Sequence, residues 1–223
     1  MRQAGWIPQI PLLVPLARLG APAWRLARAM GGRRAAVALA LVTLALALVL
    51  AWPRRMRWVR SELTGKAYRV RNEPGAQGAA DTLAVLETRV HEFLQRAQAR
   101  APGDRRLANI ARRWNGTLAQ TLNDEDVAYS VSKDSISICV SGEPDENTAM
   151  FVLLHELAHI ATDGYGHPAE FWANMRFLLE LAEATGAYRY QDFDGGVVEY
   201  CGRRLAASPL ACVKRRTCAS QLT

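Results

Sequence analysis

Apolar positions follow the 3.6-residue period of a helix in three places beyond residue 79. Residues 80–100 carry Leu83, Leu86, Val90, Phe93 and Leu94 at that spacing, and Pro102-Gly103 ends the run. A second helix is expected from about Asp104 to Asn115, with Leu107, Ile110, Ala111 and Trp114 inward. A third spans 169–185, where Phe171, Trp172, Met175, Leu178, Leu179 and Ala182 pack a core and Pro168 suits the first turn. Between the second and third lies a run that is apolar almost all round, from Met150 through Phe151, Val152, Leu153 and Leu154 to Leu157, Ala158, Ile160 and Ala161. Such a helix belongs in a core, and Asn147 is its expected N-cap.

Period-two alternation occurs once. Residues 127–140 read as strand, turn and strand, with Lys133-Asp134 at the turn and Ile136, Ile138 and Val140 alternating with Ser135, Ser137 and Cys139. The exposed edge of the 136–140 strand is a place for an extended peptide to pair. Residues 61–79 lack apolar periodicity and are rich in turn residues, so 53–79 is read as a linker. Residues 35–52 form an uncharged apolar run of eighteen residues flanked by arginine. As a helix it would be about 27 Å long, close to the roughly 30 Å bilayer core, so a single transmembrane helix is expected there. A signal peptide is the competing reading.

The core helix carries three ionisable side chains inside its apolar run, and they form a pattern. His155 and His159 stand four apart, on one helix face, where both imidazoles reach one metal ion. Glu156 lies about 100° round the helix, off the metal and near a water bound to it. Burying three such groups costs several kcal/mol unless they are paired or bound to metal. The His-Glu-x-x-His arrangement is a zinc-hydrolase signature. Downstream, Asp163-Gly164-Tyr165-Gly166 makes a turn that brings His167 back as a third ligand, with Asp163 and Glu170 as alternatives. Three histidines leave one open position, as catalytic zinc requires.

Charge divides the chain. Residues 1–60 hold ten arginines and no acid, which leaves −3 of the net +7 for residues 61–223. The basic surplus therefore argues for a lipid bilayer near 35–52 and gives no support to a nucleic-acid groove on the main domain. Residues 1–34 suit a bilayer interface, a transit peptide or a basic arm. Residues 213–223 form a basic tail with Lys214, Arg215 and Arg216.

His155-Glu156-x-x-His159, His167 and Phe171-Trp172 together resemble the compact zincin metallopeptidases of the WLM and SprT-like (Spartan-like) group. The resemblance extends to the short metallopeptidase-like proteins of large DNA viruses and of protists or algae. Those share a Lys-turn-Ile-x-Ile-Cys strand, here Lys133 to Cys139, and Tyr-Cys-Gly with a later Pro-Leu, here Tyr200-Cys201-Gly202 and Pro209-Leu210. It covers about residues 80–212. It implies an α+β, zincin-like domain, with a small sheet packed on the active-site helix and further helices, behind the N-terminal transmembrane helix. It also implies one catalytic Zn2+ held by His155, His159 and His167, Glu156 as acid and base, and a peptide or protein substrate. Repair members of that group carry nucleic-acid-binding appendages, and the apolar run stands in their place here, so crosslink repair is not expected.

Cys139, Cys201, Cys212 and Cys218 make no C-x-x-C pair. Cys139 reads as a small buried hydrophobe, and four cysteines also allow two disulfides in an oxidising compartment. Asn115-Gly116-Thr117 is a glycosylation sequon. Tyr165 and Tyr200 are candidates to stabilise an oxyanion. The expected protein is a single-pass, membrane-anchored zinc peptidase. The rival readings are a membrane-anchored binding protein with a structural zinc, and a zinc hydrolase of non-protein amides.

Overall fold

A β-hairpin, not a linker, occupies residues 56–71. The computed structural model describes residues 36–44 and 55–214, apart from 124, 143, 194, 195, 197 and 206. In chain order the elements of the main unit are β1 (Met56–Arg60), β2 (Ala67–Arg71), α1 (Ala76–Arg100), α2 (Arg105–Arg113) and β3 (Leu118–Gln120). They continue with β4 (Ala128–Val131), β5 (Ser135–Ile138), α3 (Glu146–Ala161), α4 (Ala169–Ala184), β6 (Val198–Tyr200), β7 (Arg203–Leu205) and α5 (Ala211–Lys214). The domain is α+β, as expected.

Residues 53–79 were the expected linker, yet β1 and β2 pair antiparallel there from Met56–Arg71 to Arg60–Ala67. Tyr68 and Val70 turn inward and are buried. The buried Glu87 carboxylate of α1 ties this hairpin down. It pairs with Lys66 Nζ at 2.6 Å, accepts from Tyr68 Oη at 3.3 Å and accepts from the Leu118 N–H at 3.2 Å. One side chain thus joins β2, α1 and β3.

The three-stranded sheet has the order β3-β5-β4. β5 is its middle strand, parallel to β3 and antiparallel to β4. The expectation of an open edge on the 136–140 strand is therefore corrected. Neighbours on both sides take up β5's backbone groups, and β4 is an edge strand instead.

α3 is the spine. Leu153, Leu154, Leu157 and Ile160 are fully buried, each contributing about 1.5–3 kcal/mol. α4 and α2 pack against it, as does β4. Its N-cap is Asp145, whose carboxylate accepts from the Thr148 N–H and hydroxyl, both at 2.8 Å. Asn147, the expected cap, instead lies inside the helix and bonds both backbone groups of Arg189, at 2.8 and 2.9 Å.

The expected transmembrane helix at 35–52 is also corrected. Among the described residues no helix is long and apolar enough to cross a membrane. Residues 36–44 are helical, with Leu39, Leu41 and Val42 exposed. Residues 35 and 45–52 of the expected span lie outside the described residues, as do 1–34. The expected single-pass membrane localisation therefore loses its structural support, and with it the lipid bilayer as a partner. Residues 1–53 and 54–223 form two separate units.

Candidate metal centre

α3 presents His155 and His159 one turn apart, and the loop after it returns His167 to the same point. His155 Nε2 lies 3.2 Å from His159 Nε2 and 3.1 Å from His167 Nε2. All three ligand atoms fall within 4.8 Å of one another. Two nitrogens bound tetrahedrally to one zinc, each at about 2.0–2.1 Å, stand roughly 3.3–3.4 Å apart. The two separations from His155 Nε2 lie close to that demand. His155 Nε2 carries either one proton or one lone pair and so makes one well-directed hydrogen bond, and two short approaches to it favour a shared metal ion. The donor set of three imidazoles suits zinc or another first-row ion.

Burial keeps His155 and His159 neutral. It lowers the His155 pKa to about 3, with His159 and His167 adding repulsion. Burial also lowers His159 to about 4, helped by His167 and then Lys133. Neutral rings are the form that binds metal. Phe171 is fully buried beneath all three, 4.4–4.8 Å from each ring centroid. Trp172 was expected in the core. It is 47% exposed and stacks on His167 at 5.5 Å, so it lies on the rim of the site.

The loop from 162 to 167 is held by side chains from elsewhere. Lys133 Nζ donates to the carbonyls of Thr162, Asp163 (2.9 Å) and Gly164 (2.7 Å). Arg113 donates to the carbonyls of Ile160 at 2.8 Å and Thr162 at 3.0 Å. Asn109 Nδ2 donates to that of Ala161 at 3.0 Å. The carbonyls at the end of α3 are orphans by construction, and these donors satisfy them. Lys133 reaches them from a tight turn in which Ser132 and Lys133 both have positive φ, 51° and 61°. The Asp134 N–H closes that turn onto the Val131 carbonyl at 3.0 Å. Two non-glycine residues there cost roughly 1–2 kcal/mol each, which the charge-assisted bonds of Lys133 offset. Gly166, at φ 72°, supplies the reversal just before His167.

The alternative third ligands are otherwise engaged. Asp163 pairs with Arg113, and with Arg105 at 3.6 Å. Glu170 pairs with Arg105 at 3.4 Å. His167 alone of the three joins the cluster.

Glu156 follows His155 directly on α3 and is 5% exposed. Burial raises its pKa from 4.5 to about 7, and hydrogen bonds from Ser130 of β4 act in the opposite direction. A buried carboxyl balanced near neutrality, one residue on from a histidine of the cluster, is suited to taking and giving a proton.

Both tyrosine candidates make contacts of their own. Tyr200 is buried, and its hydroxyl donates to the Cys139 carbonyl at 2.7 Å. Tyr165 is 87% exposed and lies over Lys133, 5.1 Å from Nζ. Cys139 is not a simple hydrophobe, because it forms a disulfide with Cys201. The side chain of Cys212 and all of Cys218 lie outside the described residues. In the basic tail, Lys214 pairs with Glu183 at 3.0 Å.

No protein-family model matches this chain, and no solved structure does either. It is 27% identical over 159 residues to an uncharacterized protein of Acanthamoeba polyphaga mimivirus, across 65% of this chain and 80% of that one. An uncharacterized protein of Invertebrate iridescent virus 3 is 36% identical over 70 residues, 29% of this chain and 44% of its own length. One from Invertebrate iridescent virus 6 is 32% identical over 74 residues, 30% and 42% of the two lengths. The chain thus spans less than half of each iridescent-virus protein. These similarities bring no activity with them.

Ser130 and the Lys133 clamp were not foreseen as parts of the site. Ser130 sits in the alternation of 127–131, where nothing distinguishes a serine facing α3 from one facing water. Lys133 was legible as a turn residue, but its reach to the end of α3 depends on the tertiary fold.

Proposed function

We propose that this protein is a metal-dependent peptidase, a compact zincin of the kind its sequence resembles, acting on peptide or protein substrates. The observation that carries the reading is the convergence of three histidine Nε2 atoms, with a buried glutamate of near-neutral pKa directly after the first of those histidines in α3. His155, His159 and His167 hold the metal, and zinc fits the donor set best. A bound zinc ion supplies Lewis acidity, which polarises the scissile carbonyl and makes water a nucleophile at neutral pH.

The remaining work belongs to the chain. The Glu156 carboxylate takes a proton from the attacking water. It returns that proton to the amide nitrogen as the C–N bond breaks. The open edge of β4 pairs with an extended peptide through backbone hydrogen bonds, and the packing of β4 on α3 holds that peptide beside Glu156. Phe171 beneath the rings and the loop clamp of Lys133 and Arg113 fix the ligand geometry.

The test is hydrolysis of a denatured protein such as casein, combined with elemental analysis. The wild type should hold about one equivalent of metal and cleave. Chelation should abolish cleavage and added zinc should restore it. His167→Ala should lose the metal. Cleavage that survives complete metal removal would overturn the reading.

A further inference from the structure

Asn115, Gly116 and Thr117 form the connection between α2 and β3, and both Asn115 and Thr117 are exposed. Asn115 Oδ1 accepts from the Thr117 N–H at 2.9 Å and from its hydroxyl at 2.7 Å. Those bonds occupy the oxygen of the carboxamide and leave its nitrogen for chemistry. The backbone is anchored independently, since the Asn115 N–H donates to the Asp134 carbonyl at 2.8 Å. Gly116 has a φ of +78°, and a Cβ there would meet the His91 ring at 3.1 Å. The middle residue is therefore fixed as glycine by the turn, and a non-proline residue is what the acceptor motif requires.

A second observation is independent of this loop. Cys139 and Cys201, 62 residues apart, are joined in a disulfide. Such bonds persist in oxidising compartments and are rare in reducing ones. The oxidising lumen of the secretory pathway also contains the transferase that modifies Asn-x-Ser/Thr.

We propose that this chain folds in that lumen and is N-glycosylated at Asn115. Asn115 Nδ2 forms a bond to the anomeric carbon of an oligosaccharide carried on a lipid pyrophosphate. The bond between that carbon and the pyrophosphate oxygen breaks, the lipid pyrophosphate departs, and Nδ2 gives up one proton. The exposed side chain accommodates the glycan without disturbing the core. The sugar stands beside the turn between β4 and β5, which carries Lys133. The proposal does not depend on the metal chemistry of the histidines.

The full-length chain, expressed in cultured insect or mammalian cells, is compared before and after treatment with peptide N-glycosidase. The wild type and Thr117→Ser should shift by one glycan, and the released peptide should carry a deamidation at Asn115. Asn115→Gln and Thr117→Ala should migrate at the deglycosylated position without treatment. A wild-type chain that does not shift would overturn the proposal. So would a shift that persists in Asn115→Gln.

Discussion

His155 and His167 are twelve residues apart in the chain, yet their Nε2 atoms stand 3.1 Å from each other. The first is fixed by a buried helix and the second by an exposed loop. Their approach therefore depends on whatever holds the loop. Lys133, Arg113 and Asn109 do this by spending their donors on the carbonyls at the end of α3.

Lys133→Met removes the donor shared by three of these carbonyls while keeping an apolar stem of similar length. Outer partners of metal ligands typically contribute 10–100-fold to affinity. The variant should fold and should bind metal roughly tenfold to a hundredfold more weakly in chelator competition. Unchanged affinity would show that the loop is rigid without the clamp.

The Cys139–Cys201 bridge ties the end of β5 to the hairpin of β6 and β7 across 62 residues. Loop-closure entropy for that span corresponds to about 4 kcal/mol. The double variant Cys139→Ala, Cys201→Ala should lose stability of that order in urea denaturation, and reductant should have the same effect on the wild type. A loss below about 1 kcal/mol would remove the bridge as a stabilising element.

Acid sensitivity of the metal-free protein follows from burial of the site. The folded state holds His155 and His159 at about 3 and about 4, against 6.5 for a free imidazole. An unfolded chain takes up both protons below pH 6.5 and the folded chain does not. Stability from these rings is present above pH 6.5 and is lost as the pH falls through their folded values. Glu156 acts in reverse. Raised from 4.5 to about 7, it favours the fold below pH 4.5 and ceases to do so as the pH rises through 7. Two histidines outweigh one carboxyl, so chelator-treated protein should lose stability from pH 6.5 to 4.5. Glu156→Gln removes the opposing group and should steepen that loss. Urea midpoints at the two pH values check both statements, and a flat wild-type response would contradict them.

The long elements were legible because their signals are long. α1, α2, α3 and α4 follow the apolar spacing of Leu83 to Leu94, Leu107 to Ile110, Met150 to Ala161 and Phe171 to Ala182. The histidine cluster was legible because helical spacing fixes His155 and His159 on one face, and a glycine turn before His167 permits its return. The hairpin of β1 and β2 was missed because only Tyr68 and Val70 mark β2's inner face, too short an alternation beside the turn residues 72–75. β3 has three residues and makes sense only as a neighbour of β5. The same holds for which strand forms the edge, since alternation tells inside from outside but not the order across a sheet. The Cys139–Cys201 pairing and the Glu87 hub join segments far apart in the chain, and local pattern carries no information about either. The apolar run at 35–52 shows the converse. Its composition satisfies a membrane span, yet among the described residues no helix is long and apolar enough to cross a membrane.

The central claim is that Glu156 moves the proton in a hydrolysis supported by a metal held on His155, His159 and His167. The direct measurement is the rate of peptide cleavage by Glu156→Gln, with metal content determined on the same sample. The account predicts a full complement of metal and a rate lowered by at least about 100-fold, the scale of a lost general base. A metal-loaded variant that cleaves as fast as the wild type would contradict it.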